Sequence, residues 1–310
     1  MGELVELGPL RPSESTLFGL VDDFLAAVDL SANTQRAYRA SLEAFADDVG
    51  HRSIGSIGRN TIETHLRGRY AGRAPATVNR HLAAIGAMFS WATEVGILDT
   101  SPAAGIRRRR QTRSRQAEAQ SRPIPLDELQ ALWSDRRHHS RDQVLWRLLY
   151  DSGARAAEVL GLNIEDLDFA RKRATVIGKG GDVETIQWST NTARVLPAIL
   201  RWYHLRRETG PLFVSYRRIR YPRGMPARDL CPLTGYNRLS YNRAAELFKQ
   251  ASGGRTLHQL RHSRLTHLAE AGVDATILRA VSRHTSLRTL DRYVHPSADT
   301  VAAVLDEHAP

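Results

Sequence analysis

Two residues near the C-terminus have types and a spacing that could do chemistry. The segment SRHTSLRTLDRYVH, residues 282–295, contains His284 and, nine residues later, Tyr293, among three arginines. A tyrosine oxygen can attack a phosphorus atom once it has lost its proton. Because the pKa of tyrosine is near 10, only about one in a thousand is ionised at pH 7, a deficit of about 4 kcal/mol. The alternative interpretation is a basic surface helix on which Tyr293 packs.

An arginine in the middle of the chain stands at a break between two predicted helices. In LLYDSGARAAEVLGL an apolar helix is interrupted at Ser152 and Gly153, and a second helix then begins. Arg155 lies at this break, with Glu158 one turn later. An arginine held by backbone on both sides can be buried against a glutamate. Taken alone, Arg155 is better explained as an exposed residue beside a helix cap.

Lys179 is predicted at the tip of a β-hairpin, in IGKGGD. The glycines around it let the backbone turn and approach a ligand closely. Only 3 of the 44 lysines and arginines are lysines, so a lysine is the exception here. An ammonium can give up a proton when its pKa is lowered, whereas a guanidinium cannot in practice. The residue type therefore indicates proton donation, against the alternative of an ordinary solvated turn.

A third candidate group is the pair of His258 and Arg261 in TLHQLRHSRLTH. Three residues apart, they share one face of the first turn of a predicted helix, with Thr256 as its candidate cap. His262 and His267 lie elsewhere around this helix. Alone the pair is weak, because a histidine in a DNA-binding helix more often contacts phosphate than catalyses.

Together these side chains suit a phosphodiester substrate. His258 could take the proton of Tyr293, and the positive field of two arginines would favour the phenolate. Arg155 and Arg261 would donate to the non-bridging oxygens and stabilise the charge that builds on pentacoordinate phosphorus.

The remaining groups would act on the leaving group and the phosphate. Lys179 would protonate the departing 5′ oxygen, and His284 would donate to the phosphate. This chemistry needs no metal and no cofactor. The three-residue spacing of His258 and Arg261 is not a zinc signature.

The charge of the chain agrees with an anionic partner. The net charge is +11 and the pI about 10.3, which favours nucleic acid or an acidic membrane surface. Arginine abundance alone is weak evidence, since it also follows from a GC-rich genome. No apolar run approaches the length of a membrane span, and the N-terminus has no secretory pattern. The single cysteine, Cys231, excludes an intramolecular disulfide, fits a reducing cytosol and is predicted to be a buried small hydrophobe.

The sequence divides into an N-terminal arm, a first predicted domain, a basic linker and a second predicted domain. Residues 1–14 form an N-terminal arm, and residues 15–106 read as four or five short helices with arginines outside. Residues 107–123 are an arginine-rich linker that like charges keep extended, suited to neutralising phosphates. A merely solubilising linker is the alternative. Residues 124–310 form the second domain, with a short C-terminal tail.

The second domain is predicted to be mainly helical with a small sheet. ATVIGKGGDVETIQW predicts a hairpin, STNTARVLPAILRWYHLRRETG a single helix, and residues 211–235 a long loop. Further helices are expected near residues 239–251, 258–271, 275–282 and 286–293, and in DTVAAVLDEH. The fold class is mainly α with a small β-sheet (α+β).

Four motifs resemble those of the tyrosine recombinase (phage integrase) family, and the Xer-like and transposon-borne branches are most similar in size. SGARAAEVLGL resembles its first arginine box, IGKGGD its hairpin lysine, LHQLRHSRLTH its His-x-x-Arg box and RHTSLRTLDRYVHPS its nucleophile box. The resemblance spans about residues 124–298; residues 15–105 are less specifically similar to the family's helical core-binding domain. Six family positions are matched in order: Arg155, Lys179, His258, Arg261, His284 and Tyr293.

The resemblance implies a site-specific DNA recombinase. Tyr293 would form a 3′-phosphotyrosine bond and release a 5′ hydroxyl, and a hydroxyl of another strand would rejoin the bond without ATP. The implied partners are double-stranded DNA with inverted half-sites, clamped between the two domains, and further copies of the chain in a tetramer on DNA. A partner recombinase or a DNA-bending factor is a further candidate. No membrane partner is expected, and the implied location is cytoplasmic, at the nucleoid.

Two features depart from the family pattern. Ser282 and Arg283 stand where the family commonly has Leu-Gly before the late histidine. Arg283 is expected either to reach DNA or to face solvent. The tail after Tyr293 has only 17 residues, which could dock on a neighbouring subunit or pack on their own domain.

Three other functions remain open from the sequence. A type IB topoisomerase-like enzyme would use similar chemistry but rejoin the same strand. A DNA-binding or architectural protein would have lost catalysis. A metal-dependent nuclease is disfavoured because the sequence has no carboxylate cluster.

Overall fold

The computed structural model describes residues 16–110, 122–178, 181–202, 205–216 and 227–283, with Asp306. The chain forms two compact units, Met1–Arg113 and Ser114–Pro310. The predicted catalytic residues Lys179, His284 and Tyr293 lie outside the described residues. So do the predicted N-terminal arm and the helix expected at 286–293, and so does the helix expected in DTVAAVLDEH, apart from helical Asp306.

The first unit is built from helices that polar caps and apolar stripes define. The oxygen of Thr16 accepts from the Gly19 amide at 3.2 Å, and that of Ser31 from the Thr34 amide at 3.3 Å, so each satisfies an amide in a first helical turn. A 3-10 turn, Ile54–Ser56, precedes the third helix. The four helices are α1 (Leu17–Ala27), α2 (Ala32–Val49), α3 (Arg59–Arg69) and α4 (Pro75–Glu94). The predicted helices of this half are confirmed.

The core of the first unit is aromatic at its centre. Phe45 and Phe89 are fully buried and meet edge to face with ring centroids 6.1 Å apart. Arginines on the outside are paired with acids, for example Arg39 with Asp22 at 2.8 Å. Such exposed pairs contribute little to stability.

The first residues of the predicted linker are fixed to the first unit. The side-chain amide of Asn79 donates to the main-chain oxygen of Arg109 at 2.8 Å, and its oxygen accepts from the Arg109 amide at 2.7 Å. Arg59 donates to the main-chain oxygen of Ala104 at 2.6 Å. The chain therefore leaves α4 along a defined path as far as residue 110. Residues 111–121 lie outside the described residues.

The second unit combines seven helices, within the described residues, with two small sheets. The helices are α5 (Leu126–Ser134), α6 (Ser140–Ser152), α7 (Ala156–Gly161), α8 (Thr190–Val195), α9 (Tyr241–Ala251), α10 (Leu257–Glu270) and α11 (Ala275–Ser282). The strands are β1 (Leu167–Asp168), β2 (Arg173–Ile177), β3 (Val183–Gln187), β4 (Arg201–Trp202) and β5 (Leu205–Arg206). The predicted fold class, mainly α with a small sheet, is confirmed.

The predicted hairpin is present as β2 and β3, with β1 added on the other side of β2 in antiparallel order. The pairing brings Val176 opposite Glu184. The amide of Gly178 donates to the main-chain oxygen of Asp182 at 2.7 Å and closes the connection in which position 179 falls.

The single helix predicted for residues 189–210 is wrong. The α-helix stops at Val195, a 3-10 segment spans Leu196–Leu200, and the chain then turns back through β4 and β5. Pro197 has no amide hydrogen to donate, and its ring opposes a continued α-helix. Arg207 stabilises the reversal of the chain. It is buried and donates to three main-chain oxygens, those of Ile199, Pro211 and Leu212.

A large apolar core holds most of the described second unit together, and Leu265 packs with Val281 in a separate small cluster. The large core centres on α6, whose Trp146 is buried against Phe248 of α9 with ring centroids 5.5 Å apart. Cys231 is buried, as predicted. Among the described residues, no helix combines the length and the apolar character that crossing a membrane requires.

Candidate active site

Arg155 lies at the start of α7, as the sequence predicts. Gly153 ends α6 in the left-handed conformation, with φ 59°, and Arg155 is the residue that caps α7. The carboxylate of Glu158 accepts from the main-chain amide of Arg155 at 2.9 Å and from its guanidinium at 2.7 Å. The pairing is therefore present, and the arginine is exposed, in agreement with its interpretation as a residue beside a helix cap. Glu158 is 5% exposed, whereas the side chain of Arg155 is 40% exposed and remains open to a ligand.

Arg261 is buried in the second turn of α10. Its guanidinium donates to the main-chain oxygen of Gly153 at 2.5 Å and also to the main-chain oxygen of Ser282. These two oxygens end α6 and α11, so one side chain joins three helices. Carbonyl groups at helix ends have no intrahelical partner, which is why a buried guanidinium suits them.

His258 lies on the same helix, one turn before Arg261, and is exposed. Thr256 is the capping residue of α10, as predicted. Its amide donates to the side-chain oxygen of Gln259 at 2.9 Å, which fixes the first turn. The structure therefore places an exposed imidazole and a buried guanidinium at one end of α10.

Of the two expectations for Arg283, to reach DNA or to face solvent, the structure contradicts the second. Its side chain is 8% exposed and forms an ion pair with Glu158. Its Nε lies 3.0 Å from the carboxylate of Glu184 on β3. The local geometry explains the difference. Arg283 follows α11 in the left-handed conformation, with φ 51° and ψ 40°, and this turn directs the side chain back towards α7.

The pKa of the Arg283 guanidinium is shifted. Burial lowers the pKa of Arg283 from its ordinary value, and the neighbouring Glu158 and Glu184 carboxylates oppose that effect. A guanidinium nevertheless stays charged at any physiological pH. The site therefore contains a permanent buried cation between two carboxylates.

Glu184 is the residue that sequence reasoning missed. A β-carbon added to Gly178 would lie 3.5 Å from the carboxylate of Glu184, so this side chain lies beside the glycine next to position 179. Its one sequence signal was its position in the returning strand of the hairpin, and a glutamate there is typical of a solvated face.

Three of the six predicted catalytic residues are thus brought into one region. Arg155, His258 and Arg261 are described and connected through α7, α10 and Gly153. Lys179, His284 and Tyr293 lie outside the described residues, and their positions stay predictions. In the part of the chain that is described, no group of three or more His, Cys, Asp or Glu side chains could hold a metal ion.

Comparison with known families identifies the chain. A family model described as the phage integrase family matches residues 124–299, more than half of the chain. The chain belongs to the phage integrase family. A second model, the N-terminal SAM-like domain of phage integrases, matches residues 21–96.

Relatives and solved structures agree with this membership. Tyrosine recombinase XerC of Corynebacterium glutamicum is 29% identical over 302 residues, covering 91% of this chain and 89% of that protein. XerC of Mycobacterium sp. strain JLS is 28% identical over 297 residues, covering 90% and 93%. The predicted family and enzyme class, a tyrosine-type site-specific DNA recombinase, are confirmed.

Two solved structures share the fold. The Tn1549 transposon integrase in complex with circular intermediate DNA has a TM-score of 0.68 at 17% identity, covering 94% of this chain and 99% of that one. A lambda integrase dimer bound to a COC′ core site has a TM-score of 0.66 at 16% identity, covering 89% and 97%. At this identity the likeness shows the fold alone.

Proposed function

We propose that this recombinase cleaves DNA with Tyr293 as nucleophile, through a 3′-phosphotyrosine intermediate, and that Arg155, Lys179, His258, Arg261 and His284 assist. The carrying observation is the position of Arg261. It donates to main-chain oxygens two residues before Arg155 and two residues before His284. Three motifs that are far apart in sequence therefore converge on one guanidinium, as one phosphate site would require.

The first step converts the Tyr293 hydroxyl into a nucleophile. His258, exposed in the first turn of α10, accepts the phenolic proton, and the phenolate oxygen forms the new bond to phosphorus. Arg155 keeps an exposed guanidinium face for the non-bridging oxygens. Arg261 adds positive charge from beneath, at the amino-terminal end of α10, where helix amides favour an anion.

The second step breaks the bond to the 5′ oxygen. Lys179 gives this oxygen a proton, and the product is a free 5′ hydroxyl beside the covalent phosphotyrosine. His284 donates to the phosphate in both steps. Attack by the 5′ hydroxyl of another strand reverses the chemistry and restores the phosphodiester without an external energy source.

The proposal extends to the assembly. Double-stranded DNA with inverted half-sites contacts both a core-binding domain at 15–106 and a catalytic domain at 124–310, and the 107–123 linker neutralises phosphates. The arm at 1–14 and the C-terminal tail complete the domain assignment. Four copies act together at the nucleoid, with a partner recombinase or a bending factor as a further component. The net charge of +11 and the DNA complexes of structurally similar integrases support the DNA part of this proposal.

A suicide substrate tests the nucleophile. The full-length chain first selects a binding sequence from a random duplex pool, and this duplex is then nicked so that the short 5′-hydroxyl fragment diffuses away after cleavage. Incubation in EDTA followed by a denaturing gel reveals covalent protein–DNA adduct. We expect adduct with the wild type and none with Tyr293→Phe. The matched control is Tyr241→Phe, which changes a half-exposed tyrosine of α9 and should leave the adduct intact.

The other outcomes identify the competing functions. Adduct that survives in Tyr293→Phe would mean that another tyrosine attacks. Specific DNA binding without adduct from the wild type would favour a silent DNA-binding protein. Adduct that resolves only by rejoining its own strand, with no exchange between two sites, would favour a topoisomerase-like enzyme.

A further inference from the structure

Arg283 occupies a backbone conformation that favours glycine. It ends α11 with φ 51°, and its amide donates to the main-chain oxygen of Arg279 at 2.8 Å. Within the described residues, one other non-glycine residue, Lys172, has a positive φ. A left-handed residue with a β-carbon is strained, and such strain persists where the surroundings compensate for it. The side-chain contacts of Arg283 offset this strain together with the main-chain hydrogen bond.

The side chain makes two contacts to carboxylates on different elements. Nη2 pairs with Glu158 of α7, and Nε lies 3.0 Å from Glu184 of β3. The side chains of Arg283 and Glu158 are 8% and 5% exposed, and that of Glu184 is 28% exposed. The contact with Glu158 is a hydrogen bond that is shielded from water, so it constrains geometry more than a surface pair does. The contact with Glu184 is an ion pair without hydrogen-bond geometry.

Each of the two carboxylates lies next to a predicted catalytic residue or its neighbour. Glu158 also accepts two hydrogen bonds from Arg155, at 2.9 Å and 2.7 Å, so both arginines share one carboxylate. Glu184 lies beside Gly178, the neighbour of Lys179. The next residue after Arg283 is His284, and the preceding carbonyl, that of Ser282, is held by Arg261. The Arg283 guanidinium therefore contacts the carboxylates that lie next to Arg155 and next to Gly178, and Arg283 itself directly precedes His284.

The charge of this cluster has a consequence for substrate. Glu158 and Glu184 place two carboxylates close to the region where the proposed function requires a DNA phosphate. Without Arg283 the two carboxylates would repel each other, and both would repel the phosphate. Arg283 offsets one of these two negative charges from inside the protein, and Arg155, which also pairs with Glu158, keeps an exposed face towards the ligand.

We propose that Arg283 is a positioning residue that bridges Glu158 and Glu184 and so holds Arg155 at the start of α7 and strand β3 in register with the end of α11. The proposal rests on the proposed function, because register matters only if these segments act on one phosphate. Arg283 acts through its two carboxylates and is not itself placed on the substrate.

The geometric part is tested without any DNA. Arg283→Gly removes the bridge and places at this backbone conformation the residue that adopts it most readily. Any loss of local stability in this variant is therefore due to the missing side chain. We expect faster hydrogen exchange in peptides covering 155–160 and 173–187, with the first unit unchanged. The matched control is Arg279→Gln, which removes an exposed cation from the same helix and should leave both peptides unchanged. Unchanged exchange in Arg283→Gly would overturn the bridge.

The functional part is tested on the suicide duplex under single-turnover conditions. We expect Arg283→Gly to bind the duplex within about 3-fold of the wild type but to form adduct about 30-fold more slowly, since misplacement of about 1 Å costs on the order of 100-fold in rate. Arg283→Lys should be intermediate. Added guanidinium ion, tens of millimolar, should restore part of the rate in Arg283→Gly and none in Arg279→Gln, a response that loss of folding would not give.

The two proposals fail in different measurements. A wild-type chain that forms no adduct would overturn the proposed function, whereas the exchange experiment would still decide the bridge. An Arg283→Gly variant with wild-type cleavage rate, alongside an active wild type, would overturn the positioning role and leave the proposed function intact.

Discussion

The guanidinium of Arg261 donates a hydrogen bond of 2.5 Å to the main-chain oxygen of Gly153. The two residues are 108 positions apart, yet this bond joins the second turn of α10 to the end of α6. The oxygen is available because Gly153 leaves the helix in the left-handed conformation, with φ 59°. The position of a buried arginine thus depends on the conformation of one glycine.

A β-carbon at position 153 should therefore disturb both stability and cleavage. In Gly153→Ala the added carbon would lie 3.2 Å from the Val281 side chain, in a conformation that alanine disfavours. We expect a loss of about 2 kcal/mol, since left-handed strain and overpacking each cost about 1 kcal/mol or more. Urea unfolding followed by tryptophan fluorescence measures this, because four of the five tryptophans lie in the second unit.

The control for this prediction separates the cost of the left-handed backbone conformation from the cost of the contact with Val281. Gly272 has φ 74° and nothing within 4 Å of an added β-carbon. Gly272→Ala should cost only the backbone part, about 1 kcal/mol, and leave adduct formation unchanged. Equal losses in the two variants would contradict the contact with Val281.

Glu158 is predicted to contribute more to stability than a glutamate in an exposed ion pair. It accepts from the amide and guanidinium of Arg155 and pairs with buried Arg283. Glu158→Gln would leave Arg283 with one carboxylate, and we expect a loss of about 2 kcal/mol because half-broken buried pairs are strongly destabilising. Glu246→Gln, in an exposed pair with Arg243, should change stability by less than about 0.5 kcal/mol. Equal effects in urea unfolding would remove the argument for a buried network.

Local patterns were enough to predict the helices, the hairpin and the arginine at a helix break. Caps such as Ser31, the apolar stripe of α4 and the glycine turn after Ile177 act within a few residues, so the sequence displays them directly. The helix predicted over 189–210 failed because apolar periodicity continues through Pro197 and hides the reversal that Arg207 stabilises through three main-chain oxygens.

Contacts between distant segments could not be predicted in the same way. Arg283 was recognised as a departure from the family pattern, but its partners lie 125 and 99 positions earlier, and its left-handed turn decides its direction. Glu184 shows the same limit. Neither residue type nor spacing distinguishes a strand glutamate facing water from one facing a buried guanidinium.

The first unit should lose stability in mild acid because of His65. Its side chain is 1% exposed and its Nδ1 lies 2.7 Å from Asp48, and burial, partly opposed by that contact, lowers the pKa of the imidazole. The unfolded chain has the ordinary pKa of about 6.5, so below that pH unfolding takes up a proton. Stability is therefore fully present above about pH 6.5 and is lost as the pH falls towards the lower folded value.

Hydrogen exchange of peptides from α3, corrected for intrinsic rates, measures this at pH 7.5 and 5.5. We expect weaker protection at the lower pH in the wild type and a smaller difference in His65→Gln. His51→Gln, which changes an exposed histidine of the same unit, should keep the wild-type difference. Identical pH dependence in all three proteins would assign the effect to other groups.

The two hydrogen bonds between Asn79 and Arg109 should limit the access of a protease to the start of the linker. Asn79→Ala removes both hydrogen bonds, at 2.8 Å and 2.7 Å, and each is worth about 1 kcal/mol. Loss of both bonds, about 2 kcal/mol, should make local opening at residues 107–110 about 30-fold more populated, and proteolysis follows that population. Limited trypsin digestion with mass spectrometry should show about 30-fold faster cleavage after these arginines, relative to cleavage after Arg73 in the same unit. Asn79→Asp keeps the acceptor for the Arg109 amide and loses the donor, so its rate should be intermediate. Cleavage at the wild-type rate in Asn79→Ala would mean that Arg59 and the Ala104 turn fix this segment without the asparagine.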